Sequence, residues 1–321
     1  MPQVAPTLTF ADRFGSWKAR WGIGRMNYMV PPGLYAVGAP TPESPVLVTA
    51  NYKMSYDIVR NALAGRNIWL LVLETYGINV WCAAGKGTFG TEELVRRIEL
   101  SGLPKAVTQR RLILPILGAP GVAAHEVTKQ TGFSIRYATI RAGDLPEYLD
   151  NGMVTTPTMR ELTFTFRERL VLIPVELVQA LKPTAIAAAA LLIMGAVLQG
   201  PANALMAACA YLGAVVAGAA ISPLLLPWLP GRSFSLKGAV AGLAWITAFY
   251  LLAGGQGWNA IATAAAFMAF PAVSAFYTLN FTGCTNYTSR SGVKKEMRIA
   301  MPVIGGGVIF SALMVLAGRF L

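Results

Sequence analysis

The sequence is poor in the side chains that most often bind metals. Its 321 residues include one histidine, His125, and three cysteines, Cys82, Cys209 and Cys284. A zinc site of four cysteines, or of two cysteines and two histidines, cannot be built from this set. A four-cysteine iron–sulfur cluster is excluded for the same reason. The cysteines also suggest no disulfide framework, which fits a reducing compartment for any soluble part.

Acidic residues are almost missing from the second half of the chain. Residues 183–321 contain one acid, Glu296, and seven Lys and Arg, whereas residues 1–182 contain 14 acids and 20 cations. We therefore expect a soluble domain followed by a membrane domain. The net charge of +12 does not indicate a nucleic-acid partner. Cations of a membrane domain cluster in its loops and set topology, and no nucleic-acid-binding motif is visible.

Short apolar runs alternate with helical patterns in the first half. We predict strands at residues 33–38, 46–50, 68–74, 112–117 and 133–140, and helices at residues 54–63, 91–100 and 122–130. Such alternation is typical of an α/β domain with a mostly parallel, Rossmann-like sheet, here over residues 1–165. Sheets of this kind bind ligands beyond the carboxyl ends of their strands.

The second half predicts an all-α transmembrane domain over residues 183–321. Five apolar runs approach the roughly 20 residues that a membrane span requires. They cover residues 183–200, 203–226, 236–253, 257–279 and 299–318. The run Leu170–Leu181 is shorter and bounded by Arg169 and Lys182, so we predict an interfacial helix within a linker of residues 166–182.

Loop charges predict the orientation in the membrane. Cations precede the first span and occur in the second and fourth loops, whereas the loops near residues 200 and 255 are uncharged. By the positive-inside rule the first domain is cytoplasmic and the C-terminus lies outside the cytoplasmic (inner) membrane. We expect no signal peptide, since Met1–Phe14 lacks a charged segment followed by an apolar run.

The segment with the most distinctive chemistry follows the strand at residues 68–74. It reads Gly-Ile-Asn-Val-Trp-Cys-Ala-Ala-Gly-Lys from Gly77 to Lys86. A helical turn is predicted to begin at Cys82, where free amides and Lys86, one turn later, favour the thiolate. The small residues Ala83, Ala84 and Gly85 predict a flat surface beside this thiolate for a bulky ligand.

Three other interpretations of this segment remain open from the residues alone. Cys82 could be a buried structural cysteine. Residues 85–88 resemble the end of a phosphate-binding loop, although Val80 stands where such a loop needs glycine. A cysteine hydrolase could use His125 as its base, but nothing in the sequence positions that side chain.

Residues Asn79, Val80, Trp81, Cys82, Ala83, Ala84, Gly85 and Lys86 together resemble the cap-helix signature of the mercury-methylating corrinoid proteins. That family combines a cobalamin-binding α/β domain, related to the corrinoid iron–sulfur proteins of the acetyl-CoA pathway, with five membrane spans. The resemblance implies that these residues contact a corrinoid and that Cys82 is the catalytic residue and the lower axial ligand of cobalt. It also implies a reductant, a small ferredoxin with two four-iron clusters.

The resemblance implies a methyltransferase that moves a methyl group from the cobalt of the corrinoid to thiolate-bound Hg(II), giving methylmercury. The methyl donor would be a folate-type cofactor or its methyltransferase. Independently of the family, the other common lower ligand is absent, because His125 is preceded by Ala123 and Ala124 instead of an Asp-x-His-x-x-Gly motif. Two alternatives are a membrane corrinoid methyl carrier of one-carbon metabolism and a transporter with a soluble regulatory domain.

Further candidate contacts follow other strands. Thr49 and Asn51 end one strand, and a second group follows the strand at 112–117: Gly118, Ala119, Pro120 and Gly121. In the fourth membrane loop, residues 280–297, Cys284 is a candidate for handling Hg(II). We expect that loop to form a docking surface for the corrinoid domain.

Overall fold

A computed structural model describes residues 1–318. It divides the chain into two compact units, of which the first runs from Met1 to Thr163 and the second starts at Phe164. The boundary predicted from the sequence lies after residue 165. Each unit has its own apolar core.

The first unit is built on a six-stranded sheet. Its strands are β1 (Gln3–Val4), β2 (Gly33–Val37), β3 (Val46–Ala50), β4 (Ile68–Leu73), β5 (Arg111–Leu114) and β6 (Ser134–Tyr137). The strand order is β1-β2-β4-β3-β5-β6, and the β2–β4 pair alone among these is antiparallel. The predicted mixed α/β fold with a mostly parallel sheet is confirmed. Strand β5 ends before Pro115, which has no N–H to continue the ladder.

Seven helices cover this sheet. They are α1 (Phe10–Arg20), α2 (Lys53–Ala62), α3 (Val80–Lys86), α4 (Thr91–Leu100), α5 (Leu103–Ala106), α6 (Ala124–Thr131) and α7 (Leu145–Asp150). Side chains of a strand alternate between the two faces of a sheet. Val46 and Val48 belong to one apolar cluster and Leu47 to the other, so both faces of β3 are buried. Burial on both faces explains the unbroken apolar runs of the sequence.

Strands β3 and β4 end side by side. Their parallel register pairs Val46 with Trp69 and Ala50 with Leu73. The chain therefore leaves both strands at one edge of the sheet, as Asn51 and as Glu74. Parallel strand β5 pairs with β3 and adds its own carboxyl end to the same edge.

The second unit is helical. It contains α8 (Phe166–Leu170), α9 (Ile173–Gln199), α10 (Pro201–Val216), α11 (Ser222–Leu225), α12 (Phe234–Leu252), α13 (Ala260–Asn280) and α14 (Arg290–Ala317), with a π-helical turn at Ala217–Ile221. Five stretches within residues 1–318 are long and apolar enough to cross a membrane. They are Phe166–Gln199, Pro201–Leu225, Phe234–Leu252, Ala260–Cys284 and Arg290–Ala317. The predicted number of long apolar helices is confirmed.

Two helix boundaries differ from the sequence prediction. Helix α9 continues through Pro183, so the run Leu170–Leu181 is not a separate helix. One proline removes one main-chain hydrogen bond, and the helix-forming residues around it outweigh that loss. Helix α14 begins at Arg290, which shortens the predicted loop to residues 281–289. The interfacial position of the linker and the orientation in the membrane stay predictions.

Candidate functional site

Helix α3 is a short capped helix that carries Cys82. Its N-cap is Asn79, whose Oδ1 accepts a hydrogen bond from the Cys82 amide at 2.9 Å. The helix ends at Gly87, which adopts the left-handed conformation at φ 83° that glycine tolerates best. It begins at Val80, two residues before the predicted start. Cys82 is therefore the third helical residue.

The two faces of α3 have opposite environments. Trp81, Cys82, Gly85 and Lys86 are exposed, whereas Ala83 and Ala84 are buried. The prediction that all three small residues flank the thiol is therefore wrong for the two alanines, because helical spacing turns them away from Cys82. Gly85 does share the exposed face, and a Cβ added there would meet nothing within 4 Å.

The buried face of α3 packs on the segment Ile116–Gly121, a short 3-10 helix. A Cβ on Gly121 would collide with the carbonyl of Phe89 and the backbone of Ala84, and one on Gly118 would meet the Phe89 ring. These two glycines thus support α3 from behind. They were predicted to line the corrinoid pocket, but the close backbone approach uses them for packing. Of the two residues between them, Ala119 is half-buried and Pro120 is exposed.

Asn51 holds the loop that leads into α3. Its Nδ2 donates to Glu74 Oε1 at 2.6 Å, and its Oδ1 accepts from the backbone amides of Thr75 and Gly77, each at 3.1 Å. The side chain is buried. The polar atoms of Asn51 thus hold the loop before α3, and its contact with a cofactor stays a prediction.

Glu93 ties the same loop to helix α4. Its Oε1 accepts the Glu74 amide at 2.8 Å and lies 2.8 Å from the Arg97 guanidinium. Burial alone would raise the pKa of Glu93, but the Glu74 amide and the guanidinium groups of Arg97 and Arg96 lower it overall. Sequence analysis assigned no role to Glu93, which lies within the predicted helix at residues 91–100.

A cleft of about 320 Å³ opens beside α3 at the carboxyl ends of β3, β5 and β6. Its walls are mostly apolar. They include Val48 and Thr49 of β3, Ser55, Ile58 and Val59 of α2, Asn79, Val80 and Trp81 next to Cys82, Leu114, Pro115 and Leu117 after β5, and Ala138, Thr139 and Ile140 after β6. Ligand binding beyond the carboxyl ends of parallel strands was predicted, and this is where the cleft lies.

Thr49 is a buried polar residue in the wall of this cleft. Its hydroxyl has no hydrogen-bond partner within residues 1–318. A buried hydroxyl without a partner is costly, so it suits a site that a ligand completes. The apolar residues around Thr49 were not predicted as site residues. Their position after parallel strands is the signal that could have found them.

The alternative interpretations of the Cys82 segment do not fit this geometry. Cys82 is exposed, so it is not a buried structural cysteine. Residues 85–88 lie at the C-terminal end of α3, whereas phosphates bind at helix N-termini. His125 is exposed, and its Nε2 lies 3.4 Å from Glu126. It does not line the cleft beside Cys82.

The remaining two cysteines belong to the helical unit. Cys209 is exposed on α10. The Cys284 thiol donates to Glu176 Oε1 at 3.0 Å. The loop that contains Cys284 is packed within its own unit, where Tyr287 meets Phe164 edge to face at 5.3 Å. Hg(II) handling by Cys284 and docking of the corrinoid domain on this loop stay predictions.

The residues around α3 fit a corrinoid. An exposed thiol is a soft donor suited to a transition metal such as cobalt. Gly85 leaves space beside that thiol for a broad, flat ring. The adjacent cleft could receive an appended group and offers the Thr49 hydroxyl as a hydrogen-bond partner.

Comparison with known proteins relates most of the α/β unit to one described family. Residues 24–148 match the family described as CO dehydrogenase/acetyl-CoA synthase delta subunit. The matched range contains Thr49, all of α3 and Gly121, and it ends before the first long apolar helix.

Several relatives are gamma subunits of acetyl-CoA decarbonylase/synthase complexes. The chain is 35% identical over 123 residues to that of Methanopyrus kandleri, which is 38% of this chain and 26% of the relative. It is 31% identical over 149 residues to that of Archaeoglobus fulgidus, which is 46% of this chain and 30% of the relative. The chain thus spans little more than a quarter of the length of these relatives. Its α/β unit is similar to part of these gamma subunits, whose names do not refer to mercury.

Proposed function

We propose that this protein is a membrane-anchored corrinoid methyl carrier in which the Cys82 thiolate is the lower axial ligand of cobalt. One observation carries the proposal. The exposed thiol stands on a capped helix beside a cleft at the carboxyl ends of the parallel strands, within the range that matches a corrinoid protein family. These observations support the role of a methyl carrier more strongly than they support any particular acceptor of the methyl group.

The side chains around Cys82 would act by holding the thiol and the bound ligand in fixed positions. The Asn79 cap fixes the start of α3 and so the direction of the thiol. Asn51 and Glu93 hold the loop before α3 in place, which limits movement of the ligand relative to the cleft. Thr49 would donate a hydrogen bond to the group that enters the cleft.

When bound, the corrinoid would supply the cobalt that carries the methyl group. The Cys82 thiolate would hold the cobalt as an anionic, electron-donating ligand, and Asn79 would fix the direction of that donor. The protein contributes the donor, its orientation and the apolar wall, as is general for cofactor enzymes.

Mercury is the second part of the proposal. It rests on the resemblance of residues 79–86 to the cap-helix signature of mercury-methylating proteins and on the exposure of Cys82. A folate-type donor would release the methyl group without its bonding electrons, whereas thiolate-bound Hg(II) would receive the group with them, so each turnover would consume two electrons. We therefore include a reducing partner, a ferredoxin with two four-iron clusters. The relatives are named as subunits of a complex. We therefore expect this protein to work in a multisubunit assembly that includes a methyl-donating partner.

The ligand assignment is tested with the full chain in detergent or lipid nanodiscs, reconstituted with a cobalamin. Cys82→Ala should remove the sulfur-to-cobalt features from the visible spectrum, because no second thiol lines this site. Cys209→Ala, which changes an exposed thiol on α10, is the matched control and should leave the spectrum unchanged. Identical spectra for Cys82→Ala and the wild type would disprove the assignment.

The acceptor is tested with the same preparation in its methylated form, supplied with thiolate-bound Hg(II) and a chemical reductant. Methylmercury should form with the wild type and fall at least about tenfold in Cys82→His, since a neutral imidazole is a weaker axial donor than a thiolate. If the methyl group were transferred to a one-carbon acceptor and no methylmercury formed, mercury would be rejected as the substrate. The assignment as a corrinoid methyl carrier would remain.

A further inference from the structure

Helix α1 exposes a continuous row of aromatic side chains. Phe10, Phe14, Trp17 and Trp21 recur at helical spacing, and neighbouring ring centroids lie 5.9, 5.9 and 6.2 Å apart. At about 100° per residue these four positions fall within roughly 60° of one another around the helix. Phe10 is 81% exposed and Trp17 is 53% exposed. We call this row the aromatic stripe.

The opposite face of α1 is anchored to the α/β unit. Asp12 pairs with Lys53 at 2.6 Å and with Arg60 at 2.8 Å. Ala19 is fully buried, and the Tyr28 hydroxyl donates to the Asp12 carbonyl at 3.1 Å. Rotation of the helix to bury its aromatic stripe would break these contacts. The stripe is therefore held outward by the fold.

Cations flank the stripe on both sides. Arg13 and Arg20 lie about 70–90° to one side of the centre of the stripe, and Lys18 lies about 70° to the other side, by the same helical geometry. The Lys18 ammonium lies over the Phe14 ring, 5.2 Å from its centroid. Residues 1–42 contain one acid, Asp12, and that carboxylate is already paired. Burial alone would raise the pKa of Asp12, but hydrogen bonds from Lys53, Thr9 and Arg60 hold it well below its usual range.

The exposed apolar surface continues beyond the helix. Ile23 and Met26 follow Trp21 and are also exposed. Soluble monomers rarely expose contiguous apolar patches of this kind, and such patches mark interaction surfaces. Aromatic residues on one side with Lys and Arg beside them are typical of helices that lie in the membrane–water interface.

We propose that α1 binds the surface of an anionic lipid bilayer, with the aromatic stripe in the interface and the flanking cations at the headgroups. The occupant follows from the chain itself. Five of its helices are long and apolar enough to cross a membrane, and the membrane anchoring proposed above, on which this inference rests, would keep lipid at a high effective concentration beside the α/β unit. The positive charge beside the stripe complements anionic headgroups. The proposal does not depend on the identity of the cofactor or of the methyl acceptor.

The test uses the full chain in nanodiscs of phosphatidylcholine and phosphatidylglycerol. The photoreactive residue p-benzoylphenylalanine replaces Phe14 in one sample and Leu100, an exposed apolar residue of α4, in the control. After irradiation, mass spectrometry should find at least about fivefold more lipid adducts at position 14 than at position 100. Equal lipid labelling at both positions would overturn the proposal, as would adducts at position 14 formed with protein alone.

The charge requirement is tested on the same labelled chain. Arg13→Gln with Lys18→Gln keeps the aromatic stripe and the Asp12 anchor but removes two flanking cations. Lipid adducts at position 14 should fall at least about twofold in this variant, and also when nanodiscs contain phosphatidylcholine alone. If neither the double substitution nor the neutral lipid lowered the labelling, the electrostatic part of the proposal would be overturned. The contact between α1 and lipid would then be apolar only.

Discussion

Two polar residues near the end of β3 have different environments despite their proximity. Thr49 lies in the cleft wall with an unpaired hydroxyl, whereas Asn51 lies beyond the strand and bonds the loop at residues 74–77. Both were predicted as cofactor contacts from their position after a strand. The difference arises because Asn51 has a donor and an acceptor that match the turning backbone.

Replacement of Asn51 should loosen the α/β unit. Asn51→Ala leaves the amides of Thr75 and Gly77 without their acceptor, and each buried group without a partner costs about 1–3 kcal/mol. We expect a loss of about 2–4 kcal/mol in the free energy of unfolding of this unit. The change is measured by limited proteolysis of the full chain in detergent, in which the rate of cleavage within residues 1–163 is recorded.

Asn79→Ala is the control for Asn51→Ala. It removes a single cap hydrogen bond on an exposed helix start and should cost about 1 kcal/mol. Equal resistance of the two variants to proteolysis would contradict the structural role assigned to Asn51.

Helix α3, the loop before it and helix α4 form a connected set of elements. The loop is held by Asn51 from β3 and by Glu93 from α4, and α3 rests on the Ile116–Gly121 segment. Short helices are marginal on their own, so the position of α3 depends on these tertiary contacts. The direction of the Cys82 thiol is consequently a property of the whole set.

Acid should weaken this set through Glu93. The pKa of Glu93 is lowered in the fold, so its contribution is fully present above the ordinary value of 4.5 and is lost as the pH falls through the lowered pKa. Amide hydrogen exchange of residues 74–82, corrected for intrinsic rates, should show protection that decreases below about pH 4.5. In Glu93→Gln, protection should be lower already at pH 7 and nearly independent of pH. Protection of the wild type that stays constant down to pH 3 would contradict this role.

At the scale of the whole molecule, a domain with a predicted cofactor is joined to five helices apolar enough to span a membrane. In the helical unit Arg232 lies before α12, and Lys294, Lys295 and Arg298 lie in the first turns of α14. The uncharged connections lie at Gly200 and at residues 253–259. By the positive-inside rule this pattern predicts that the α/β unit faces the cytoplasm, and the orientation stays a prediction.

Reporter fusions test this orientation. A reporter that is active only in the cytoplasm should be silent when fused after Leu321, a residue outside the described part of the chain. The same reporter fused to a chain truncated after Ser289, in the loop before α14, should be active. Activity at both positions would show that α14 does not cross the membrane as predicted.

The sequence by itself determined the elements that depend on near neighbours. Apolar periodicity identified the main strands, helices α2, α4 and α6 and five long apolar helices, whereas helix α1 was not predicted. The eight residues from Asn79 to Lys86 identified the chemical segment. Tertiary structure alone decided which sides of these elements meet. Ala84 became a packing residue because Gly121 approaches its backbone, and the aromatic stripe faces outward because Lys53 and Arg60 pair with Asp12. Those partners lie more than 30 residues away along the chain, and local periodicity carries no information about pairs at that separation.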